Sequence, residues 1–294
     1  MERIAIYGRT IKPEDYPVVK ALFEAFAFYP TSFAIYGPWA DLTSGHLSLP
    51  QKYFRFQNAT ELESFDADCL ITLGGDGTML SSVQLVGSLQ TPIMGINLGR
   101  LGFLASIEKK LVREAVQTLM ENRFHISERT MLKLDSDQPI FGAAQFALND
   151  FTLHKRDSSA MVTIHTYVND EFLASYWADG IIVASPTGST GYSLSCGGPI
   201  MFPDAKTFVI TPVAPHNLTV RPLVISDSCV LRFEIEGRAN HFLATLDSRS
   251  QSITNERRLS IRKCPFPARL IQLEDSSFQQ TLRNKLGWGQ DSRN

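Results

Sequence analysis

An α/β N-terminal domain with a parallel sheet, followed by a β-rich, sandwich-like C-terminal domain, is the fold class this sequence predicts. Three observations carry it. Short apolar runs alternate with helical patterns over the first part of the chain, which implies a mostly parallel sheet with helices on its faces. A glycine turn sits between one such strand and the helix after it. Beyond about Arg123 the pattern changes to β-branched and period-two segments, with little helix until Phe278.

Ile4-Ala5-Ile6-Tyr7-Gly8 reads as a first strand closed by a glycine turn. Pro17 to Phe28 reads as a helix, with apolar residues at Val18, Leu22, Phe23 and Phe26. Phe33-Ala34-Ile35-Tyr36 is the next strand, and residues 37–66 carry no clear pattern. Cys69-Leu70-Ile71-Thr72-Leu73 is a buried strand, and the segment from Met79 to about Leu89 a helix. Pro92-Ile93-Met94-Gly95-Ile96 is a further strand. Ser106 is placed to cap an amphipathic helix whose stripe is Leu111, Val112, Ala115, Val116, Leu119 and Met120.

Met131–Leu134, Val162–His165 and Val230–Ile235 read as strands. Asn169-Asp170 suits a hairpin turn between Val162–Val168 and Phe172–Trp177. Phe278 to Leu286 reads as a helix ending at Gly287-Trp288, with Trp288 expected to pack on the fold. The expected domains are 1–126 (α/β, nucleotide-binding), 127–267 (β-rich) and 268–294, a tail returning to the first.

The strand-to-helix turn Gly74-Gly75-Asp76-Gly77-Thr78 is the centre of the chemistry. Glycines let a backbone approach a ligand closely. The free N–H groups at a helix start favour an anion such as phosphate. A carboxylate there repels phosphate and needs a reason. Asp76 fits a general base, or a group that helps hold a divalent metal, or a simple helix cap. The stretch lacks the Lys-Ser/Thr ending of a P-loop and the G-x-G-x-x-G order of a dinucleotide turn. A second glycine stretch, Gly95 to Leu104, follows the neighbouring strand and should line the same crevice.

Later, an apolar strand from Asp179-Gly180 runs into Pro186-Thr187-Gly188-Ser189-Thr190-Gly191-Tyr192. That loop is dense in hydroxyls and backbone donors, which suit sugar hydroxyls and amides. Tyr192 offers a flat surface for a ring. No G-x-S-x-G elbow supports a hydrolase. Asn149-Asp150 alone reads as a turn between strands.

Composition is that of an ordinary globular protein: 294 residues, 44% hydrophobic and 20% charged, with a net charge of −2. The slight acidic balance argues against a nucleic-acid binder. Arg257-Arg258 with Arg262-Lys263 reads as a solvated strand face. No apolar run is long enough to cross a membrane. The four cysteines form no C-x-x-C pair, and the start Met1-Glu2-Arg3-Ile4 is no signal peptide. A reduced, cytoplasmic setting is expected. The six histidines show no metal-binding spacing.

Taken in order, Gly74–Thr78, Asn97–Leu104, Leu148-Asn149-Asp150, Asp179-Gly180, Pro186–Thr190 and Pro215-His216 with Arg221-Pro222 resemble the NAD kinase family. Leu282 with Leu286-Gly287-Trp288 is similar to its C-terminus. The resemblance implies phosphorylation of the 2′-hydroxyl of the adenosine ribose of NAD by ATP, giving NADP. It implies Mg²⁺ or Mn²⁺, and a homodimer or homotetramer. It implies Asp76 as base, with NAD between the two domains and its adenosine ribose facing Asp76. Asp76, Gly77, Asn149, Asp150, Asp179, Thr190, Gly191, Tyr192, Ser193, Leu194 and Ser195 would bind NAD. The backbone of Gly74, Gly75, Gly77 and Thr78 would face the phosphates. The pattern departs in three places: the family usually has Asn-Glu at Asn149-Asp150, alanine at Gly191, and often a basic residue at Ser81. Rivals are a lipid kinase or phosphofructokinase with a similar turn, and a nucleotide sensor without turnover. Retention of Asp76 counts against the sensor, because pure binding gains nothing from a carboxylate beside phosphate.

Overall fold

The computed structural model describes residues 1–156, 161–237, 241–274 and 277–289. In chain order the elements are β1 (Arg3–Gly8), α1 (Tyr16–Phe26), β2 (Ser32–Tyr36), α2 (Gly37–Thr43), β3 (Phe54–Phe56), α3 (Ala59–Phe65), β4 (Cys69–Gly74) and α4 (Asp76–Val86). Next come β5 (Ile93–Asn97), β6 (Ile107–Glu108), α5 (Val112–Met120), β7 (Phe124–Arg129), β8 (Leu132–Ser136), β9 (Phe146–Ala147), β10 (Asp150–Lys155), β11 (Val162–Val168), β12 (Glu171–Ala178) and β13 (Gly180–Ala184). After a 3₁₀ turn at Thr187–Thr190 follow α6 (Tyr192–Ser195), β14 (Thr207–Val213), β15 (Leu223–Ser226), β16 (Leu231–Gly237), β17 (Phe242–Leu246), β18 (Arg249–Ile253), β19 (Leu259–Lys263), β20 (Ala268–Leu273) and α7 (Phe278–Leu286).

The chain divides into two compact units, Met1–Glu128 with the stretch from Arg269 onward, and Arg129–Ala268. The first unit holds a sheet in the order β3-β2-β1-β4-β5-β20-β7, with β6 beside β5. Its β1, β2, β3, β4, β5 and β20 pairings are parallel. The strands β1, β4 and β5 are buried on both faces, which is why they read as continuous apolar runs. Strand order reverses between β1 and β4. Ligands of open parallel sheets bind at such a switch point, outside the carboxyl ends of the strands. Here those ends are Gly8-Arg9 and Gly74-Gly75.

The second unit is a sandwich of two six-stranded sheets, β15-β14-β13-β10-β17-β18 and β12-β11-β16-β19-β8-β9, antiparallel at each pairing that fixes a register. Both inner faces share one core, in which Phe151 of β10 meets Phe233 of β16 with ring centroids 5.9 Å apart. Strand β13 alternates between that core, through Ile181 and Val183, and an outer cluster with Met201 through Ile182 and Ala184. So part of the Pro186–Met201 segment is folded over the outer face of its own strand, which accounts for β13 being apolar throughout.

Some local expectations differ from the structure. Residues 37–66 contain α2, β3 and α3. Asn58 caps α3 by accepting from Glu61 N–H at 3.0 Å, and Glu61 reaches back to Gln57 N–H at 2.6 Å. Ser106 caps no helix: the chain makes the short β6 beside β5 first, and α5 starts at Val112. Pairing with an open strand edge satisfies the backbone there better than an early helix start. Trp288 is 57% exposed rather than packed. In the Asn169-Asp170 turn both φ values are positive, 49° and 65°, the geometry that two-residue hairpins need. The basic stretch near 257–263 is largely spent in pairs, Arg257 with Asp137, Arg262 with Asp135 and Lys263 with Asp227. No helix among the described residues is long and apolar enough to cross a membrane.

Candidate active site

In the first unit β4 ends at Gly74, Gly75 is the extended residue before the helix, and Asp76 is the first residue of α4. A side chain on Gly74 would bring Cβ within 2.2 Å of Thr78 Oγ1, so the turn closes only on glycine. At the opening of α4, Thr78 and Met79 N–H donate back to Gly75 O at 2.9 and 3.1 Å, which leaves the N–H groups of Asp76 and Gly77 without an intrahelical acceptor. Arg9, just past β1, donates from Nη1 to Ser81 Oγ at 3.3 Å. A guanidinium therefore stands beside the second turn of α4, at the position where the helix itself lacks a basic residue.

Asp76 is held from across the sheet. Its Oδ2 accepts from Phe103 N–H at 2.9 Å, and its Oδ1 from Leu104 and Ala105 N–H at 3.1 Å each. The loop that supplies these donors is braced by Asn97. Asn97 Nδ2 donates to the carbonyls of Arg100 and Ala105, and its Oδ1 accepts from Gly99 N–H at 2.7 Å. A Cβ on Gly102 would fall 1.8 Å from Asp76 Oδ1, so glycine is what admits the carboxylate. The two glycine loops thus meet on one acidic side chain. Lys285 of α7 lies 3.6 Å from Asp76 Oδ2.

In the second unit, Asn149 and Asp150 lie where β10 starts opposite the end of β13 and the 186–195 segment begins, whereas Asp179 precedes the start of β13, at the other end of both strands, where Lys155 N–H meets its carbonyl. Gly188 lies so close to Asn149 that a Cβ would meet the Asn149 carbonyl oxygen at 2.0 Å. Ser185 ties the same segment, donating from N–H to Asn149 O at 2.9 Å and from Oγ to Leu148 O at 2.5 Å. Asn149 Oδ1 and Thr187 Oγ1 are buried without a hydrogen-bond partner among the described residues. Buried polar atoms are seldom left unpaired.

Asp150 is a strongly perturbed acid. Burial, and then the negative charge of Asp247, push its carboxyl up to about 7. Asp247 sits in the β17–β18 turn with a φ of 51° and accepts from the N–H groups of Leu148 (3.0 Å), Asn149 (2.7 Å) and Asp150 (3.3 Å). It locks the Asn149-Asp150 backbone. Its own carboxyl is also raised by burial. Asp179 is paired with Lys155 at 2.6 Å. Tyr192 stacks on His154, centroids 5.6 Å apart and planes 21° apart, and leaves an exposed face. Burial lowers the His154 pKa, which favours a neutral ring. Thr190 Oγ1 donates to Thr187 O at 3.3 Å. Ser193 is buried with its hydroxyl against Thr211 at 2.8 Å, so it shapes the loop and presents no free hydroxyl. Gly191 and Leu194 are half-buried and Ser195 is exposed. Lys285 and Arg9 have no counterpart among the residues the motifs single out.

A carboxyl whose folded pKa is raised stays protonated when the unfolded chain has already ionised. The stability it lends is complete below about pH 4 and is lost as pH rises through about 7. Asp150→Asn should therefore raise the melting temperature at pH 8 by several degrees and at pH 5 by only about a third as much. Equal effects at both pH values would show that Asp150 does not carry this proton.

The ATP-NAD kinase N-terminal domain matches residues 41–124, and the ATP-NAD kinase C-terminal domain matches residues 148–273. The NAD kinase of Cytophaga hutchinsonii is 45% identical over 291 residues, covering 99% of each chain. That of Flavobacterium psychrophilum is 42% identical over 294 residues, covering 99% of this chain and 100% of the relative. Among solved structures, yeast NADH kinase complexed with NADH superposes with a TM-score of 0.87 at 23% identity, over 99% of this chain and 89% of that one. An NAD kinase from Archaeoglobus fulgidus in complex with ATP gives 0.73 at 24% identity, over 97% of both. These two likenesses speak for the fold.

Proposed function

The chain belongs to the ATP-NAD kinase family, and from that membership we infer that it phosphorylates the 2′-hydroxyl of the adenosine ribose of NAD with ATP, yielding NADP and ADP. It is a phosphotransferase with an alcohol as acceptor. The observation that carries the chemical reading is Asp76, an oriented carboxylate at the mouth of a phosphate-binding turn. ATP phosphates meet the backbone of Gly74, Gly75, Gly77 and Thr78, where the α4 dipole favours negative charge. Asp76 accepts the 2′-hydroxyl proton. The O2′–P bond forms as the bond from the γ-phosphorus to the bridging oxygen breaks, and ADP departs in line. Most of the rate comes from positioning and charge neutralisation.

NAD is assigned to Asp76, Gly77, Asn149, Asp150, Asp179 and the Thr190–Ser195 segment, within which the Ser193 hydroxyl is taken by Thr211 and only its backbone is open to the ligand. ATP phosphates thus fall to the 1–126 domain and most NAD contacts to the 127–267 domain. Asn149 Oδ1 and Thr187 Oγ1 supply buried groups that lack a partner among the described residues. Tyr192 supplies a ring face. Incubation with NAD, ATP and Mg²⁺, with NADP detected by an NADP-specific dehydrogenase, tests the reading. No NADP would end it.

A divalent ion, Mg²⁺ or Mn²⁺, is part of this proposal. Among the described residues no group of three or more His, Cys, Asp or Glu could hold one, and three N–H groups and Lys285 already engage Asp76. The protein does not fit a resident metal, whereas triphosphate oxygens are ordinary Mg²⁺ ligands. The ion is therefore proposed to enter with ATP. Excess chelator should cut turnover at least about tenfold, since the ion screens phosphate charge, and Mg²⁺ or Mn²⁺ should restore it. Full activity in chelator would remove the ion from the scheme.

Asp150→Ala should raise the KM for NAD by about ten- to a hundredfold, the worth of a hydrogen bond involving a buried acid. The KM for ATP should hardly move. A folded variant with unchanged KM for NAD would take Asp150 out of the site. The proposal extends to a homodimer or homotetramer in the cytoplasm, supported by the family and by four free cysteines.

A further inference from the structure

An acidic side chain beside phosphate needs a counter-charge, and the C-terminal helix brings one. α7 rests on the loop after β5 through one face. Its first residue, Phe278, lies against Phe103, ring centroids 6.3 Å apart. Lys285 follows seven residues later, two helical turns on, and so shares that face. Its Nζ sits 4.7 Å above the Phe103 ring and 3.6 Å from Asp76 Oδ2. Both ends of the helix are fixed. Ser277 Oγ accepts from Gln280 N–H at 3.2 Å, and Gly287 closes the last turn with a φ of 62°.

The oxygens of Asp76 are unevenly used. Oδ1 takes two backbone N–H groups and Oδ2 takes one. A carboxylate offers about four lone-pair sites, so the one left for a proton is on Oδ2, the oxygen that faces Lys285. Each side chain is about a third exposed, 34% for Lys285 and 31% for Asp76, so water screens the pair only in part.

We propose that Lys285 is a positioning residue for the kinase reaction: it holds the working oxygen of Asp76 in place and screens the Asp76 charge from the incoming triphosphate. This rests on the reading of Asp76 as the base. Helix α7 is then a part of the active site, and the aromatic pair Phe103–Phe278 is its anchor.

The test is steady-state kinetics with melting temperatures on wild type, Lys285→Met, Lys285→Arg, Asp76→Asn and the double variant Asp76→Asn with Lys285→Met. Methionine keeps the stem and its contact with Phe103 while removing the charge. Lys285→Met should lower kcat by about ten- to fiftyfold with KM for NAD within about threefold, because what is lost acts on the transferring group. The melting temperature should stay within a few degrees. Lys285→Arg should recover a large part of kcat, though not all, since its fork is longer and planar. In the Asp76→Asn background the same change should cost less than about twofold, because coupled residues are not additive. An unaffected Lys285→Met overturns the assignment. So does an equal loss in both backgrounds, or a loss that tracks melting temperature without rescue by arginine. Wild-type protein without turnover overturns the kinase reading as well, whereas turnover with an unaffected Lys285→Met overturns Lys285 alone.

Discussion

Asp76→Asn should lower kcat by about 10²–10⁴, the usual contribution of a general base, while the KM for NAD changes by less than about threefold. The substitution keeps size and removes the proton acceptor. Its carbonyl oxygen still accepts from Leu104 and Ala105 N–H, as Oδ1 does now. Its amide then meets the Phe103 N–H donor to donor where Oδ2 now accepts at 2.9 Å. One hydrogen bond is lost and a donor–donor repulsion takes its place, at a cost of about 1–3 kcal/mol for a half-buried pair. The variant should melt a few degrees lower and still fold. Melting temperature measured with kcat separates the two effects, since loss of one loop hydrogen bond does not account for a hundredfold drop in a folded protein. Near-normal turnover would remove Asp76 as base and leave it as a helix-start residue that braces the loop.

Much of this site is written in local sequence. The strands β1, β4 and β5 announce themselves as apolar runs because a parallel sheet buries both faces. Gly74-Gly75-Asp76 falls at the end of one of them, and the strand order makes that end the switch point. Asn169-Asp170 and the Gly287 end of α7 are legible because turns and caps are short-range chemistry. The Asn58-x-x-Glu61 cap lies in the stretch 37–66 that shows no clear pattern, where strand β3 is only three residues long.

The partners that hold the acids are not local. Lys285 reaches Asp76 only because β20 returns the chain to the first sheet beside β5, which sets the start of α7. Asp247 reaches Asn149 because β17 pairs with β10 in a register that places Leu246 opposite Phe151. No periodicity or spacing encodes either contact. The same holds for Asp150. The family resemblance implies it as an NAD contact, but its raised pKa comes from burial and from Asp247, ninety-seven positions away. Ser193 shows the reverse. A hydroxyl in a hydroxyl-rich loop reads as a ligand contact, yet packing turns it inward to Thr211.

Gly102→Ala should lower kcat by about 10²-fold or more, because a misplacement of about 1 Å at the chemistry can cost that much. The added methyl carbon would lie 1.8 Å from Asp76 Oδ1, 2.5 Å from Cγ and 2.8 Å from Oδ2. Carbon and oxygen do not approach so closely, so either the carboxylate or the Phe103–Ala105 loop must move. Either movement breaks the three N–H bonds that aim Asp76. The backbone of Gly102 is not in the left-handed region, so the effect is one of close approach and not of strain. Gly99 in the same loop is the control, since a methyl there meets only Asn97 Oδ1 at 3.8 Å, an ordinary distance. Gly99→Ala should keep kcat within about threefold, the size of a surface change that leaves the reacting groups in place. Steady-state kinetics on both alanine variants decide the matter. If Gly102→Ala turns over as wild type does, or Gly99→Ala loses as much, the aim of Asp76 does not depend on this close approach.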